Sequence, residues 1–238
     1  MPNLLKANDL TVRFGGLTAV DSVELSVAPG QVVALIGPNG AGKTTCFDAL
    51  TGFVQPDAGR VELEGRDVTG LPPFERTRLG MARTFQTERP FEDLSVLRNV
   101  LVPAFLRHPG RAEAEAVARS ALHRVGLADR ADQPASDLNL ARRRRLELAK
   151  ALALEPRILF LDEVMAGLNP PALAEMIKFL RDLSGEGMAI VLVEHILEAV
   201  MQLADHVVVL ASGAVIAEGK PDAVTSDPAV IEAYLGTE

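Results

Sequence analysis

Apolar residues recur along this chain in two different rhythms. In the first third they alternate with polar ones: after a strand-like Leu10 to Phe14, the segment Val20 to Val27 carries Val23, Leu25 and Val27 two apart. That is the period of a sheet with one covered face, and it predicts antiparallel pairing. Elsewhere they run without interruption, at Val32 to Ile36, Ile158 to Leu161, Ile190 to Val193 and Val207 to Leu210. Such runs are expected of strands covered on both faces, so these four predict a parallel sheet. Each of the first three is followed by a polar cluster and a helix-like segment, the succession of a doubly wound α/β fold with its ligand at the strand C-termini.

From Thr87 to Lys150 the strand signal gives way to helical spacing. Arg111 to Val125 places Val117, Ala118, Ala121, Leu122 and Val125 on one face, with Gly126 as the stop. Pro90, Pro103, Pro109 and Pro134 are expected to mark the loops of this insert. A chain of 238 residues is near the upper size of one hydrophobic core. The expected organisation is therefore a single domain over 1–238, with residues 1–86 and 151–238 forming an α/β core and residues 87–150 an inserted helical subdomain.

Composition narrows the function classes. With 48% hydrophobic and 24% charged residues, the chain is neither disordered nor fibrous. The 24 basic and 32 acidic residues leave a net charge of −8, with one Tyr, no Trp and nine Phe, which argues against a nucleic-acid partner. The longest strongly apolar stretches, Ala189 to Val193 and Val207 to Leu210, fall far short of the roughly 20 residues of a membrane-spanning helix. The N-terminus has no long apolar stretch of the kind a secretory signal carries, which predicts a cytoplasmic address. The single Cys46 and the scattered His108, His123, His195 and His206 have no zinc-site spacing.

The chemistry starts at Gly37-Pro38-Asn39-Gly40-Ala41-Gly42-Lys43-Thr44, which fits G-x-x-x-x-G-K-[ST] between a strand and a helix-like run from Thr45. Its glycines let backbone N–H groups curl around phosphate oxygens, Lys43 reaches the β/γ-phosphates, and Thr44 offers a hydroxyl to Mg²⁺. At Ile158 to Leu161 a buried strand exits into Asp162 and Glu163. The first is a natural Mg²⁺ ligand and the second is placed to orient or deprotonate an attacking water.

These motifs, with Phe85-Gln86, Leu138 to Ala151 and Val193-Glu194-His195 in the same order, resemble the nucleotide-binding subunit of ABC transporters over essentially the whole chain. Phe14 to Asp21, Gly70 to Pro73, Arg83 to Gln86, Ala166 to Pro170, Val215 to Gly219 and Ala233 to Gly236 look like its branched-chain or hydrophobic amino acid uptake branch. The resemblance implies a P-loop NTPase (RecA-like) core that binds ATP and Mg²⁺. It places Phe14 against the adenine, Thr45 in the nucleotide site, Gln86 as a sensor of Mg²⁺ and the lytic water, and His195 at the γ-phosphate. Asn169 takes the place where the family commonly has Asp, in the loop joining two subunits.

Three positions depart from the family pattern. Val164 stands where Pro normally follows the Glu, and Ile196 where Asp follows the His. The signature, usually Leu-Ser-Gly-Gly-Gln, reads Leu138-Asn139-Leu140-Ala141-Arg142, so Leu140 and Ala141 add Cβ atoms where glycine lets a partner's nucleotide approach the backbone. Asn139 remains a good helix cap, and the arginines Arg142 to Arg145 are expected to be mostly solvated or paired.

The expectation is an ATPase driving import of branched-chain or other hydrophobic amino acids, peripheral on the cytoplasmic face of the membrane. Its partners would be a second ABC ATPase subunit, as a heterodimer rather than a homodimer, two membrane permease subunits and, indirectly, a substrate-binding protein. A lipid or lipopolysaccharide exporter ATPase and a non-transport ABC ATPase are the alternatives.

Overall fold

The computed structural model describes residues 3–85 and 90–235. The chain opens with β1 (Leu5–Phe14), β2 (Leu17–Val27) and β3 (Val32–Ile36), then α1 (Lys43–Thr51), β4 (Ala58–Leu63), β5 (Arg66–Asp67), α2 (Pro73–Arg78) and β6 (Met81–Arg83). A helical stretch follows, with α3 (Val96–Arg107), α4 (Arg111–Arg124) and α5 (Leu140–Leu152). The chain returns through β7 (Ile158–Asp162), α6 (Pro170–Gly185), β8 (Ala189–Val193), α7 (Leu197–Leu203), β9 (His206–Ala211), β10 (Ala214–Gly219), α8 (Pro221–Thr225) and α9 (Pro228–Leu235).

The two hydrophobic rhythms separate into two sheets. The alternating segments pair antiparallel in the order β2-β1-β4-β5, and the continuous runs lie side by side in the order β10-β9-β3-β8-β7-β6. All neighbours from β9 to β6 are parallel, while β10 closes one edge antiparallel to β9. Within β3, Val32, Ala34 and Ile36 face a core shared with the helices, and Val33 and Leu35 face a second core shared with the antiparallel sheet and α1. Both faces are dry, which is why β3, β7 and β8 carry no polar alternation. The helices α3, α4 and α5 pack on one another and contribute to the first of these cores.

Several boundaries differ from the sequence reading, each for a local reason. β1 starts at Leu5, because Leu5 and Ala7 are buried but the next buried position is Leu10. The shift coincides with Asp9 at φ +51°, a break in register that hides the period of two. β2 extends back to Leu17, where the hairpin pairs Phe14 with Leu17 without a covered face. Pro103 lies inside α3 rather than in a loop. The buried stripe Val96, Leu97, Val100 and Ala104 outweighs the roughly 3 kcal/mol that an interior proline costs. Cys46 is buried, and burial pushes its thiol up to about 12, so it is a packing residue.

Candidate functional site

The loop between β3 and α1 is held by backbone contacts that leave no space for a side chain at Gly37 or Gly42. Gly37 has φ +150°, and a Cβ there would stand 2.1 Å from the carbonyl oxygen of Leu210; Gly42 has φ +98°, and its Cβ would stand 2.2 Å from the carbonyl oxygen of Ala19. Gly42 also caps α1 without a side chain, so the first amides of the helix stay directed at whatever sits in the loop. Lys43 donates from Nζ to the carbonyl oxygens of Gly37 (2.7 Å) and Pro38 (2.9 Å). Burial lowers its pKa, and the negative charge of Glu163 works against that.

On the same edge of the parallel sheet, β7 ends at Asp162 and β8 at Val193. Burial raises the Asp162 pKa, which the neighbouring Arg83 guanidinium counteracts. Arg83 Nη2 lies 3.2 Å from Asp162 Oδ2, and Nη1 is paired with Asp48 of α1. Glu163 has φ +47°, which costs a side-chain-bearing residue about 1 kcal/mol or more. Its N–H donates to the carbonyl of Val193 at 3.0 Å. This turn brings Glu163 Oε1 within 3.9 Å of His195 Nδ1. Lys43, the adjacent Asp162 and Glu163, and His195, from three distant parts of the sequence, thus share one sheet edge.

The donor chemistry suits Mg²⁺. Thr44 supplies a hydroxyl in the first turn of α1 and Asp162 a carboxylate at the strand exit. One or two protein oxygens of this kind, completed by phosphate oxygens and water, are what the ion takes. In the structure Asp162 is shared with Arg83.

The ABC transporter family matches residues 20–166, and that of the branched-chain amino acid ATP-binding cassette transporters matches residues 214–238. The high-affinity branched-chain amino acid transport ATP-binding protein BraF of Pseudomonas aeruginosa is 41% identical over 251 residues, covering 98% of each chain. The protein of the same description, LivG, from Escherichia coli is also 41% identical, with 98% of each covered. This chain belongs to the ABC transporter family. Its branch is that of the branched-chain amino acid transport ATP-binding proteins. The ADP conformation of an ABC transporter cassette superposes with a TM-score of 0.91 at 31% identity, covering 99% of this chain and 100% of that one. A nucleotide-free cassette gives 0.90 at 30% identity, with 98% and 99% covered. The fold is that of an ABC ATPase.

Within this ABC cassette the remaining sequence-predicted positions fall as follows. Phe14 is 53% exposed at the tip of the β1–β2 hairpin, so it is not a core aromatic, and Ala19 of the same hairpin lies against Gly42. Gln86 lies outside the described residues. Asn139 caps α5, accepting the N–H of Arg142 at 3.0 Å, and Leu140 and Ala141 open its first turn. Asn169 caps α6 in the same way, through Ala172. The arginine run divides: Arg143 pairs with Glu92 and Arg145 with Glu175, but Arg144 is buried. The expectation concerned most of the four; Arg144 is the one that a helix starting at Leu140 turns inward with Leu148 and Leu152.

Sequence reasoning passed over three groups. Arg83 holds Asp162 and Asp48 while its guanidinium lies 4.8 to 5.1 Å from the rings of Phe47, Phe53 and Phe85. The sequence signal was a charge at the end of the apolar Met81-Ala82 strand. Tyr234 of α9 is bonded to the backbone of Gly37, which ties the C-terminal segment to the phosphate loop. Glu194 is nearly inaccessible, although it stands beside the exposed His195.

Proposed function

We propose that this chain is the ATP-hydrolysing subunit of an importer for branched-chain or other hydrophobic amino acids. The observation that carries the reading is the gathering of a phosphate loop, an Asp-Glu strand exit and a histidine on one edge of a parallel sheet, in a chain matched along nearly its whole length by ATP-binding proteins of that transport. The loop amides and Lys43 neutralise phosphate charge, the residues from Gly37 to Thr45 hold the nucleotide, and Phe14 stacks on its base. Thr44 and Asp162 would hold Mg²⁺, which would supply positive charge at the phosphates, and Gln86 would sense the ion and the lytic water, as the family resemblance implies. Glu163 takes the proton of the attacking water and His195 orients the γ-phosphate surroundings.

The same proposal divides the chain into a nucleotide-binding core (1–86 with 151–238) and a helical lobe (87–150). Leu138 to Arg142, at the start of the signature helix, would face the nucleotide of a second ABC subunit. Because Leu140 and Ala141 stand where close approach favours glycine, we favour a heterodimer whose main site uses Lys43 and Glu163 of this chain with a sibling's signature. Two membrane permease subunits and a substrate-binding protein complete the assembly, which would hold this chain at the cytoplasmic face of the membrane. Among the described residues no helix is long and apolar enough to cross a membrane, so the translocation path would belong to the permeases.

The test is steady-state ATP hydrolysis by the purified chain, alone and with its sibling subunit. Removing the general base by Glu163→Gln should lower turnover about 100-fold or more while keeping ATP affinity. Lys43→Ala should weaken binding itself. Hydrolysis retained by Glu163→Gln would overturn the assignment, and transport of another cargo class by the reconstituted complex would overturn the substrate.

A further inference from the structure

One cation beside the site serves two carboxylates from two different elements. Arg83 ends β6, its backbone in register with Phe160 of β7, and its side chain is 9% exposed. Its Nη2 donates to Asp162 Oδ2 at 3.2 Å, and its Nη1 donates to Asp48 of α1 and, at 3.0 Å, to Thr51 Oγ1 of the same helix. The rings of Phe47, Phe53 and Phe85 stand 4.8 to 5.1 Å from the guanidinium, the last two meeting edge to face at 5.6 Å. The next residue, Thr84, holds the same strand exit through the backbone. Its N–H donates to the carbonyl of Phe160 at 2.9 Å, and its hydroxyl oxygen accepts the N–H of Asp162 at 3.3 Å.

Stability alone does not call for this arrangement. Ions taken out of water gain little over apolar side chains of the same size, because desolvation consumes most of the attraction. Here Arg83 Nε is also buried without a hydrogen-bond partner, at a cost of about 1 kcal/mol or more. What the bridge does provide is a fixed relation between two elements. The helix α1 carries Thr44 in its first turn and β7 ends in Asp162, the two donors proposed above for Mg²⁺. A planar guanidinium holds two oxygens in set directions, as an ammonium does not. Arg83 therefore fixes both the direction of the Asp162 carboxylate and its place relative to the helix that bears Thr44.

We propose that Arg83 is a positioning residue that aligns the Asp162 carboxylate with the helix bearing Thr44, so that the two donors take up the metal without rearranging. The bridge itself stands on the contacts just given, whereas its role in metal binding rests on the Mg²⁺ assignment of the ATPase reading above. The experiment keeps the two apart. Mn²⁺, which shares the preference of Mg²⁺ for carboxylate and water oxygens, is titrated by EPR into the complex of the chain with ADP. The proteins compared are the wild type, Arg83→Met, Arg83→Lys, Asp48→Asn, the Arg83→Met/Asp48→Asn double variant and Asp162→Asn. Binding of a fluorescent ADP analogue in EDTA reports the nucleotide site without metal, and circular dichroism reports folding.

Arg83→Met should weaken Mn²⁺ binding about tenfold while ADP-analogue affinity in EDTA stays within about twofold, a split that general damage to α1 or the phosphate loop would not give. Arg83→Lys, which keeps the charge and loses the fork, should recover part of the affinity. Asp48→Asn loosens the hold of α1 on the bridge and should weaken Mn²⁺ about threefold, and the double variant should be no worse than Arg83→Met, since both act through one bridge. Unchanged Mn²⁺ affinity in folded Arg83→Met, or additive losses in the double variant, would overturn the proposal. Tighter Mn²⁺ binding would overturn it too, because the guanidinium would then be a competitor of the metal for Asp162. Should Arg83→Met fail to fold, Arg83→Lys and Asp48→Asn decide the question at smaller amplitude, and wild-type affinity in both would overturn the proposal. Asp162→Asn is the control on the site. If it leaves Mn²⁺ affinity intact, the Mg²⁺ assignment falls and the proposal with it; if it abolishes binding while the Arg83 variants match the wild type, the positioning role alone falls.

Discussion

The phosphate loop and the start of α5 both open a helix, yet they are constrained from opposite sides. In the loop the constraint is internal. Gly37 and Gly42 have positive φ, and carbonyl oxygens of this same chain stand 2.1 and 2.2 Å from where their Cβ atoms would be. At α5 the chain imposes no such limit: Asn139 caps the helix, Leu140 is largely exposed, and its Cδ2 lies 3.3 Å from where a Cβ on Gly167 would be. A side chain at Leu140 or Ala141 costs the isolated fold nothing, and any cost would fall on the approach of the second subunit proposed above. A departure at the signature is thus neutral for folding, whereas a departure at the loop is not.

The largest effect should come from adding a methyl group in the loop, set against removing one at the start of α5. Gly42→Ala meets a backbone carbonyl and an unfavourable φ at once, and should destabilise the chain by about 4 kcal/mol or abolish nucleotide binding. Ala141→Gly in the first turn of α5 should cost at most about 1 kcal/mol of helix propensity. Chemical denaturation with parallel ADP titration checks both. A Gly42→Ala protein with native stability and affinity would remove the contrast.

Next in size is a residue that supports the loop from behind. Arg76 is 1% exposed and donates to the carbonyls of Ala49 (2.9 Å), Leu50 (2.7 Å), Thr69 (2.7 Å) and Leu71 (3.0 Å). It thereby closes the C-terminal end of α1, the helix that the loop opens. Burial pushes its pKa down to about 10, with Asp67 opposing. Arg76→Met leaves those carbonyls without their donor and should cost about 3 kcal/mol, read as a lower denaturation midpoint. The far end of α5 has only a half-buried cation, Arg107, which donates to the carbonyl of Leu154 at 2.9 Å, and Arg107→Met should cost less, about 1 kcal/mol.

Much of this contrast was legible in the residues. The continuous apolar runs named the parallel strands, and the glycine spacing with Lys43 named the loop, because both follow from periods and conformations that one residue type satisfies. Arg76, Arg83 and Glu194 were not legible. Their roles depend on which carbonyls and carboxylates the fold brings beside them, and a charged residue reads the same on a surface helix as in a buried junction. The run Arg142 to Arg145 makes the point: four identical letters give three half-buried side chains and one buried one, Arg144. Pro103 was misplaced for the same reason, since only the packing of α3 decides that a helix continues through it.

Beside the turn after Glu163, pH should separate Glu194, which accepts the N–H of Met165, from its neighbours. Its folded pKa of about 7 lies above the ordinary 4.5, chiefly through burial. Between those values the folded state holds a proton that the unfolded state has lost. Stability from this group is therefore full below pH 4.5 and is lost as pH rises to about 7, a total of about 3 kcal/mol. Glu194→Gln should lack this decline, so that its denaturation midpoint gains on the wild type from pH 5 to pH 8. Parallel profiles for the two proteins would place the proton elsewhere.

The smallest expected effect is at Asn139, and it tests the α5 side of the comparison most directly. Asn139 Oδ1 accepts the N–H of Arg142 at 3.0 Å, a cap worth about 1 kcal/mol to the helix. Asn139→Ala should lower stability by about that amount, and the backbone amides at Leu140 and Ala141 should keep their direction, because Arg143 still anchors the turn through the carbonyls of Leu138 and Ser136. If the main hydrolytic site pairs this chain's loop with a sibling's signature, turnover of the pair should change less than about twofold, far below the loss at Glu163→Gln. If the chain works instead as a homodimer in which Asn139 and the arginines replace the missing glycines, Asn139→Ala should remove hydrolysis that the unmodified chain performs alone. Cooperative turnover by this chain alone, lost on that one substitution, would make the start of α5 as demanding as the phosphate loop.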